Sequence, residues 1–220
     1  MAIADFQPLD RPTIEADMVM GATTRMAVAA LVLAALVLPR EAHARKLTDE
    51  EVKRLEAGKV IMLPFDKKKY LGGHSYILLD EKLSKSWKAI QDARVYEEIY
   101  PTTKESKVVE QGENSSVVKM VQKQGAYKIT YYLNYTSDPK AHKLSWDLNR
   151  DKPHDINHSS GYFKFSKYKD GRTLMKMYTK LDLGSKFIKT FFGKRIAAGL
   201  LRLPKKFRKF LAKPEADKYG

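Results

Sequence analysis

The stretch SKFIKTFFGKRIAAGLLRLPKKFRKFLAK, residues 185–213, decides how the rest of the chain must fold. Ile188, Phe192, Ile196, Leu200, Leu203, Phe207 and Phe210 recur at three- or four-residue spacing, the period of one helical face. The same residues hold ten Lys or Arg and no Asp or Glu. The spacing predicts a long helix with an apolar stripe that needs covering and a cationic back. That back is either a solvated face or a surface for an anionic membrane or partner. Pro204 interrupts the pattern. It disfavours helical geometry at Leu203 and removes an amide donor, so a kink or break is expected there, followed by a separately angled basic helix. Phe187 and Phe191 fall outside the stripe. They are read as a pocket lip or a membrane contact, and Lys205, Lys206, Arg208 and Lys209 as membrane contacts.

The segments before this helix supply its cover. From Gly125 onward the period is two. Tyr127, Ile129, Tyr131, Leu133 and Tyr135 alternate with Lys128, Thr130, Tyr132, Asn134 and Thr136. Leu144, Trp146 and Leu148 alternate with polar neighbours, as do Phe163 and Phe165, and then Thr173, Met175, Met177, Thr179 and Leu181. Such alternation marks antiparallel strands with one apolar and one wet face. Asp170-Gly171 marks a hairpin turn. Upstream, Thr48-Asp49-Glu50-Glu51 is a capping box that opens a short helix, followed by a short apolar strand run at Val60–Leu63 and another at His74–Leu79. Two short helices then precede the run of strands. An α+β fold follows, with a curved antiparallel sheet of about six to seven strands wrapped around the C-terminal helix.

The N-terminus reads as an address. Residues 26–38 form a 13-residue apolar run after Arg25, broken by Pro39 and followed by Ala42-His43-Ala44. This is the order of a secretory signal peptide with cleavage after Ala44, and the run is short for a membrane span. The alternative is an uncleaved anchor. Residues 1–17 are too acidic for the positive region of such a peptide, and Met18, Met20 and Met26 offer alternative starts. The expected organisation is therefore residues 1–44 as extension and signal peptide, 45–73 as capping helix and linker strand, 74–213 as the main domain and 214–220 as a polar tail.

The chain carries 41 Lys or Arg against 26 Asp or Glu, a formal charge of +15, and no cysteine. Disulfides, thiolate metal sites and cysteine nucleophiles are thereby excluded. The positive excess suggests an anionic partner, and export argues for a membrane surface and against nucleic acid. A periplasmic or secreted monomer is expected.

The order of elements resembles the helix-grip fold of the START-like (SRPBCC) superfamily, in particular its polyketide cyclase-like and coenzyme Q-binding branch. The resemblance covers about residues 74–212. It is carried by Trp87 in the first helix, the run Asp92-Ala93-Arg94-Val95-Tyr96-Glu97-Glu98-Ile99-Tyr100-Pro101, the strands Ser145–Leu148 and Gly161–Phe165, and the position of the terminal helix. The resemblance implies a cavity between sheet and helix for a lipid, sterol, quinone or polyketide. It supplies no universal catalytic residue.

No catalytic constellation stands out. There is no nucleophile elbow and no glycine-rich phosphate loop. His154 and His158 sit beside Pro153 in a loop, outside the helical context that would make their spacing a metal site. No cofactor is expected. The candidate cavity lining is Trp87, Met120, Tyr131, Tyr135, Trp146, Phe163, Phe165, Met175, Met177, Thr179, Phe192 and Ile196, each of which would otherwise be plain core. Three functions remain open. The first is a carrier of a hydrophobic small molecule or lipid. The second is a cyclase- or dehydratase-type enzyme in the same cavity, which needs an inward acid or histidine. The third is a basic membrane-surface adaptor with no ligand.

Overall fold

Period-two alternation builds the sheet. In the computed structural model, which describes residues 45–220 apart from 66–68, 101, 125–126 and 185, eight strands run antiparallel. The side chains of residues 124 and 186–192 are also outside the description, and so are residues 1–44, on which the expected signal peptide falls. The order is α1 (Asp49–Glu56), β1 (Ile61–Pro64), β2 (Leu71–Leu79), α2 (Leu83–Gln91), α3 (Val95–Ile99), β3 (Thr103–Gln111), β4 (Ser115–Gln124), β5 (Tyr127–Asp138), β6 (Lys143–Leu148), β7 (His158–Lys167), β8 (Thr173–Asp182), α4 (Lys186–Leu201) and α5 (Leu203–Leu211). A 3-10 turn, Pro214–Tyr219, ends the chain.

The strands lie in the order β1-β2-β8-β7-β6-β5-β4-β3. Each of β3 to β8 pairs with the next in sequence, and β2 closes onto β8, with Gly73 opposite Thr179 and Ile77 opposite Met175. This is the curved sheet expected, with one more strand than the upper estimate because β1 forms a paired edge. Gly72 and Gly73 make the β1-β2-β8 junction possible. Their φ angles are 120° and 143°, and a Cβ at either would collide with the backbone carbonyl of Thr179 or Leu63.

The expected boundary at 73/74 disappears, because residues 46–220 form one compact unit. β2 is apolar on both faces. Ile77 and Leu79 join the main core, while Tyr76 and Leu78 pack with Leu55 of α1 and Ile61 of β1 on the outer face. The capping box holds α1 in place: the Glu51 amide donates to Thr48 Oγ1 at 3.2 Å, and the Thr48 amide to Glu51 Oε2 at 2.9 Å. The tail is not a free polar end either. Ala216 and Tyr219 are buried, and the Tyr219 hydroxyl donates to Asp92 at 2.8 Å. Arg94 beside Asp92 holds that carboxyl down at about 2, and the Tyr219 hydrogen bond adds to the effect.

The break at Pro204 is where the sequence placed it. α4 ends at Leu201, Arg202 intervenes, and α5 begins with Pro204 in its first turn, where a missing N–H costs nothing. The two-sided pattern belongs to α5. Over its full length α4 has no single apolar stripe, and only its last turns set exposed Lys194 and Arg195 apart from half-buried Ile196, Ala198 and Leu200. α5 turns Leu203, Phe207, Phe210 and Leu211 into the core. Phe207 is fully buried, its ring 6.1 Å from Phe165 and 6.5 Å from Phe210. Across the sheet, Trp146 lies 4.9 Å from Phe163, and Tyr96 stacks 5.7 Å from Tyr135. Removing the central ring should be costly: Phe207→Ala is expected to lose about 3–5 kcal/mol of stability, read as a shift of the urea midpoint with an unchanged slope.

Candidate functional site

The two C-terminal helices cover the sheet differently. α5 fills the groove with large rings. Between Ile196 and Leu200, α4 brings only the small residues Ala198 and Gly199 to the space beside it. The result is a cavity of about 770 Å³ between α4, the end of α3 and strands β4, β5 and β8. Its apolar wall is Ile99, Ile129, Leu181, Leu183, Ile196 and Leu200.

A small polar network lies in the wall opposite α4. Thr102 donates through Oγ1 to Gln122 Oε1 at 2.6 Å, and Gln122 Nε2 donates to Thr103 Oγ1 at 2.8 Å and to the Tyr131 hydroxyl at 3.4 Å. Tyr131 thus accepts from the protein and keeps its own proton to give. Tyr100 also lines the cavity, and its hydroxyl has no hydrogen-bond partner among the described residues. Burial pushes Tyr131 up to about 12, against the opposing Gln122 hydrogen bond, and pushes Tyr100 well up. Both phenols are therefore donors at neutral pH. The remaining polar contributors are Lys194, Arg195, Arg202 and Lys206, from α4, the break and α5.

Of the lining expected from sequence, the structure brings Tyr131 and Ile196 to the cavity. The side chain of Phe192 lies outside the described residues. Trp87, Met120, Tyr135, Trp146, Phe163, Phe165, Met175, Met177 and Thr179 face inward as expected but are buried as packed core, away from the cavity wall. Other rings close their half of the groove: Phe207 of α5 and Trp87 of α2 lie against Phe165, and Tyr96 of α3 lies against Tyr135 and Phe163. Sequence reasoning missed Tyr100, Gln122, Leu181 and the basic residues at the cavity. The run Ala197-Ala198-Gly199 was the available signal, since small residues on a covering helix leave a hollow.

The expected membrane contacts are also dispersed. Lys205 and Lys209 are exposed, but Lys206 is half-buried at the cavity, and Arg208 donates to the Gly58 carbonyl at 2.9 Å, tying α5 to the loop after α1. The side chains of Phe187 and Phe191 lie outside the described residues. Asp147 is exposed on β6, and His158 bonds Ser160 Oγ at 2.9 Å. Among the described residues no group of His, Asp and Glu is arranged to hold a metal ion.

No family model and no curated protein matches the chain by sequence. Solved structures do match it in shape. A STAR-related lipid transfer protein from Xanthomonas axonopodis is similar at a TM-score of 0.55 and 10% identity, over 64% of this chain and 85% of that one. A START superfamily protein from Mycobacterium smegmatis is similar at 0.50 and 9% identity, over 65% and 99%. The di-domain ARO/CYC of the steffimycin biosynthetic pathway is similar at 0.50 and 16% identity; there the match spans 85% of this chain and 61% of that one. The fold is the START-like helix-grip, as the order of elements implied.

The buried phenols have a measurable consequence. Free tyrosine ionises near pH 10, and Tyr131 is held protonated to about 12. The unfolded chain therefore loses protons first as pH rises. The contribution of this group is intact below about pH 10 and is lost as pH climbs toward 12. Denaturant melts at stepped alkaline pH should show stability falling across that window, with a smaller fall in Tyr131→Phe.

Proposed function

We propose that this protein is an exported carrier that holds a hydrophobic small molecule, such as a lipid or a quinone, in the cavity beneath α4. The observation that carries the reading is the cavity itself. It lies between sheet and helix, falls within the roughly 300–1,000 Å³ usual for ligand pockets, and has an apolar wall with a few polar anchors. The Tyr131 and Tyr100 hydroxyls offer two donors to an otherwise apolar guest. Its described lining holds neither carboxylate nor imidazole, which favours binding over the general acid–base chemistry of a cyclase or dehydratase.

Export rests on the apolar run at residues 26–38 and the Ala42-His43-Ala44 site. The compact unit begins at Lys46, close behind that site. Among the described residues no helix is long and apolar enough to cross a membrane. Delivery to an anionic bilayer is supported by exposed Lys205 and Lys209 on α5. Neutralising both is expected to weaken binding to phosphatidylglycerol vesicles, and added salt to weaken the wild type in the same direction, because the attraction is screened within a Debye length.

The cavity reading is tested by organic extraction and mass spectrometry of the purified protein, together with uptake of a fluorescent lipid from vesicles. Ala198→Trp puts a large ring at a half-buried position of the cavity lining, at a helix-propensity cost of less than about 1 kcal/mol. This variant is expected to fold normally and take up at least about tenfold less probe, the scale of losing one good packing contact. Unaltered uptake would place the ligand elsewhere.

A further inference from the structure

The polar groups of the cavity are unevenly placed, and the unevenness carries charge. Lys194, Ala198 and Arg202 are four residues apart and form one ridge along α4 and its end. Arg195 and Gly199 form the next ridge, Ile196 and Leu200 the one after. Lys194, Arg195 and Arg202 are exposed, whereas Ile196, Ala198 and Leu200 are half-buried. The helix thus shows its cations to the mouth of the cavity and its aliphatic groups to the inside. Lys206, in the first turns of α5, adds a fourth cation to the same lining.

None of these four forms an ion pair among the described residues, and the described lining contains no Asp or Glu. Other basic side chains are paired: Lys85 with Glu81 and Asp217, Lys119 with Glu105, Lys152 with Glu110, Lys213 with Glu98. A solvated basic face would account for Lys194, Arg195 and Arg202. It does not account for Lys206. Burial pushes that amine down, and the like charge of Arg202 pushes it further. A cation partly withdrawn from water without a counter-ion is costly, and an anion seated beside it would offset the cost.

We propose that the occupant of this cavity is an amphiphile with an anionic head, a carboxylate or a phosphate. The head lies against Arg202 and Lys206, with Lys194 and Arg195 around the mouth, and the apolar body lies against Leu200, Ile196, Ile129 and Leu181. This rests on the cavity being a ligand site, as set out above. Charge-assisted hydrogen bonds from a guanidinium and an ammonium suit both head groups.

The test uses chain-matched probes that differ only in the head: palmitic acid against hexadecanol, and palmitoyl lysophosphatidic acid against monopalmitoylglycerol. Binding is followed by calorimetry on the full-length protein. The expected result is a preference of roughly tenfold or more for the acid within at least one pair, as one charge-assisted contact supplies. The pair that shows it identifies the head group. Arg202→Gln/Lys206→Gln should bring that ratio toward one. Lys88→Gln/Lys164→Gln, which removes the same charge from exposed sites away from the cavity, should leave it unchanged. Lys206→Met is a second variant, and circular dichroism checks the fold of each. Equal binding within both pairs, or a ratio unmoved by Arg202→Gln/Lys206→Gln and Lys206→Met, overturns the anionic head while leaving a neutral hydrophobic ligand in place. Failure of all four probes to bind removes the cavity reading as well. Binding to anionic vesicles with no uptake of the soluble acids would make the four cations a surface feature and overturn the proposal.

Discussion

The insertion of Phe207 between the sheet and α5 is the contact on which the arrangement depends. A sheet whose inner face carries Trp146, Phe163, Phe165, Met175 and Met177 must bury that face, and each large side chain covered stabilises the fold by about 1.5–3 kcal/mol. A single straight helix from residue 186 to 211 would have to run across the whole groove at one depth. The break at Arg202 and Pro204 removes that constraint. α5 sits where Phe207, Phe210 and Leu211 reach the core, and the Arg208 bond to the Gly58 carbonyl and the Lys213–Glu98 pair hold it there. The 3-10 turn closes behind it through Tyr219 and Asp92.

The same break gives the groove two halves of different character. Under α5 the aromatic rings meet at centroid distances of about 5 to 6.5 Å, the spacing of packed pairs. Under α4 the helix brings no aromatic ring among the described residues, only Ile196, Ala198, Gly199 and Leu200 with its cations, and the sheet ends of β5 and β8 with the end of α3 face a hollow. A packed half beside an open half reconciles stability with binding. Few residues of the packed core also line the cavity, Ile99 being one, so most of the open half could vary in sequence at little cost to the core.

Much of the architecture was legible because it rests on period and punctuation. Alternation located β5 to β8 and their inner faces, the capping box located α1, and Pro204 located the break. The site was less legible. The rings of Trp146, Phe163 and Phe165 do face inward, but periodicity records direction and not whether a partner arrives to fill the space. Whether an inward ring is core or cavity wall depends on α5, more than forty residues on in the chain, and on the depth its break allows. Lys206 shows the same limit. In sequence it is one of a run of basic residues with Lys205, Arg208 and Lys209; in the fold these four take three different surroundings. Helical spacing sorts residues onto faces, but what each face meets is a tertiary fact.

Charge placement at the open half follows from the same geometry. Structures at 9–16% identity share this fold, so the fold can be met by many side-chain sets provided face polarity is kept. What such a scaffold binds is then decided by the few groups where the covering helix stops. Here that stop is Arg202, with Lys194 and Arg195 about two turns before it and Lys206 about one turn after. The C-terminal end of a helix carries a partial negative charge, and cations gathered there are stabilised by it whether or not a ligand is present. That effect reaches Arg202 at the end of α4. It does not reach Lys206, which lies in the opening turns of α5, where the local partial charge is positive and a further cation is disfavoured. The placement of Lys206 therefore runs against its own helix, against Arg202 and against burial together. Among the described residues Lys206 has no ionic partner, and three opposing effects on such a side chain are what the proposed anion site would account for.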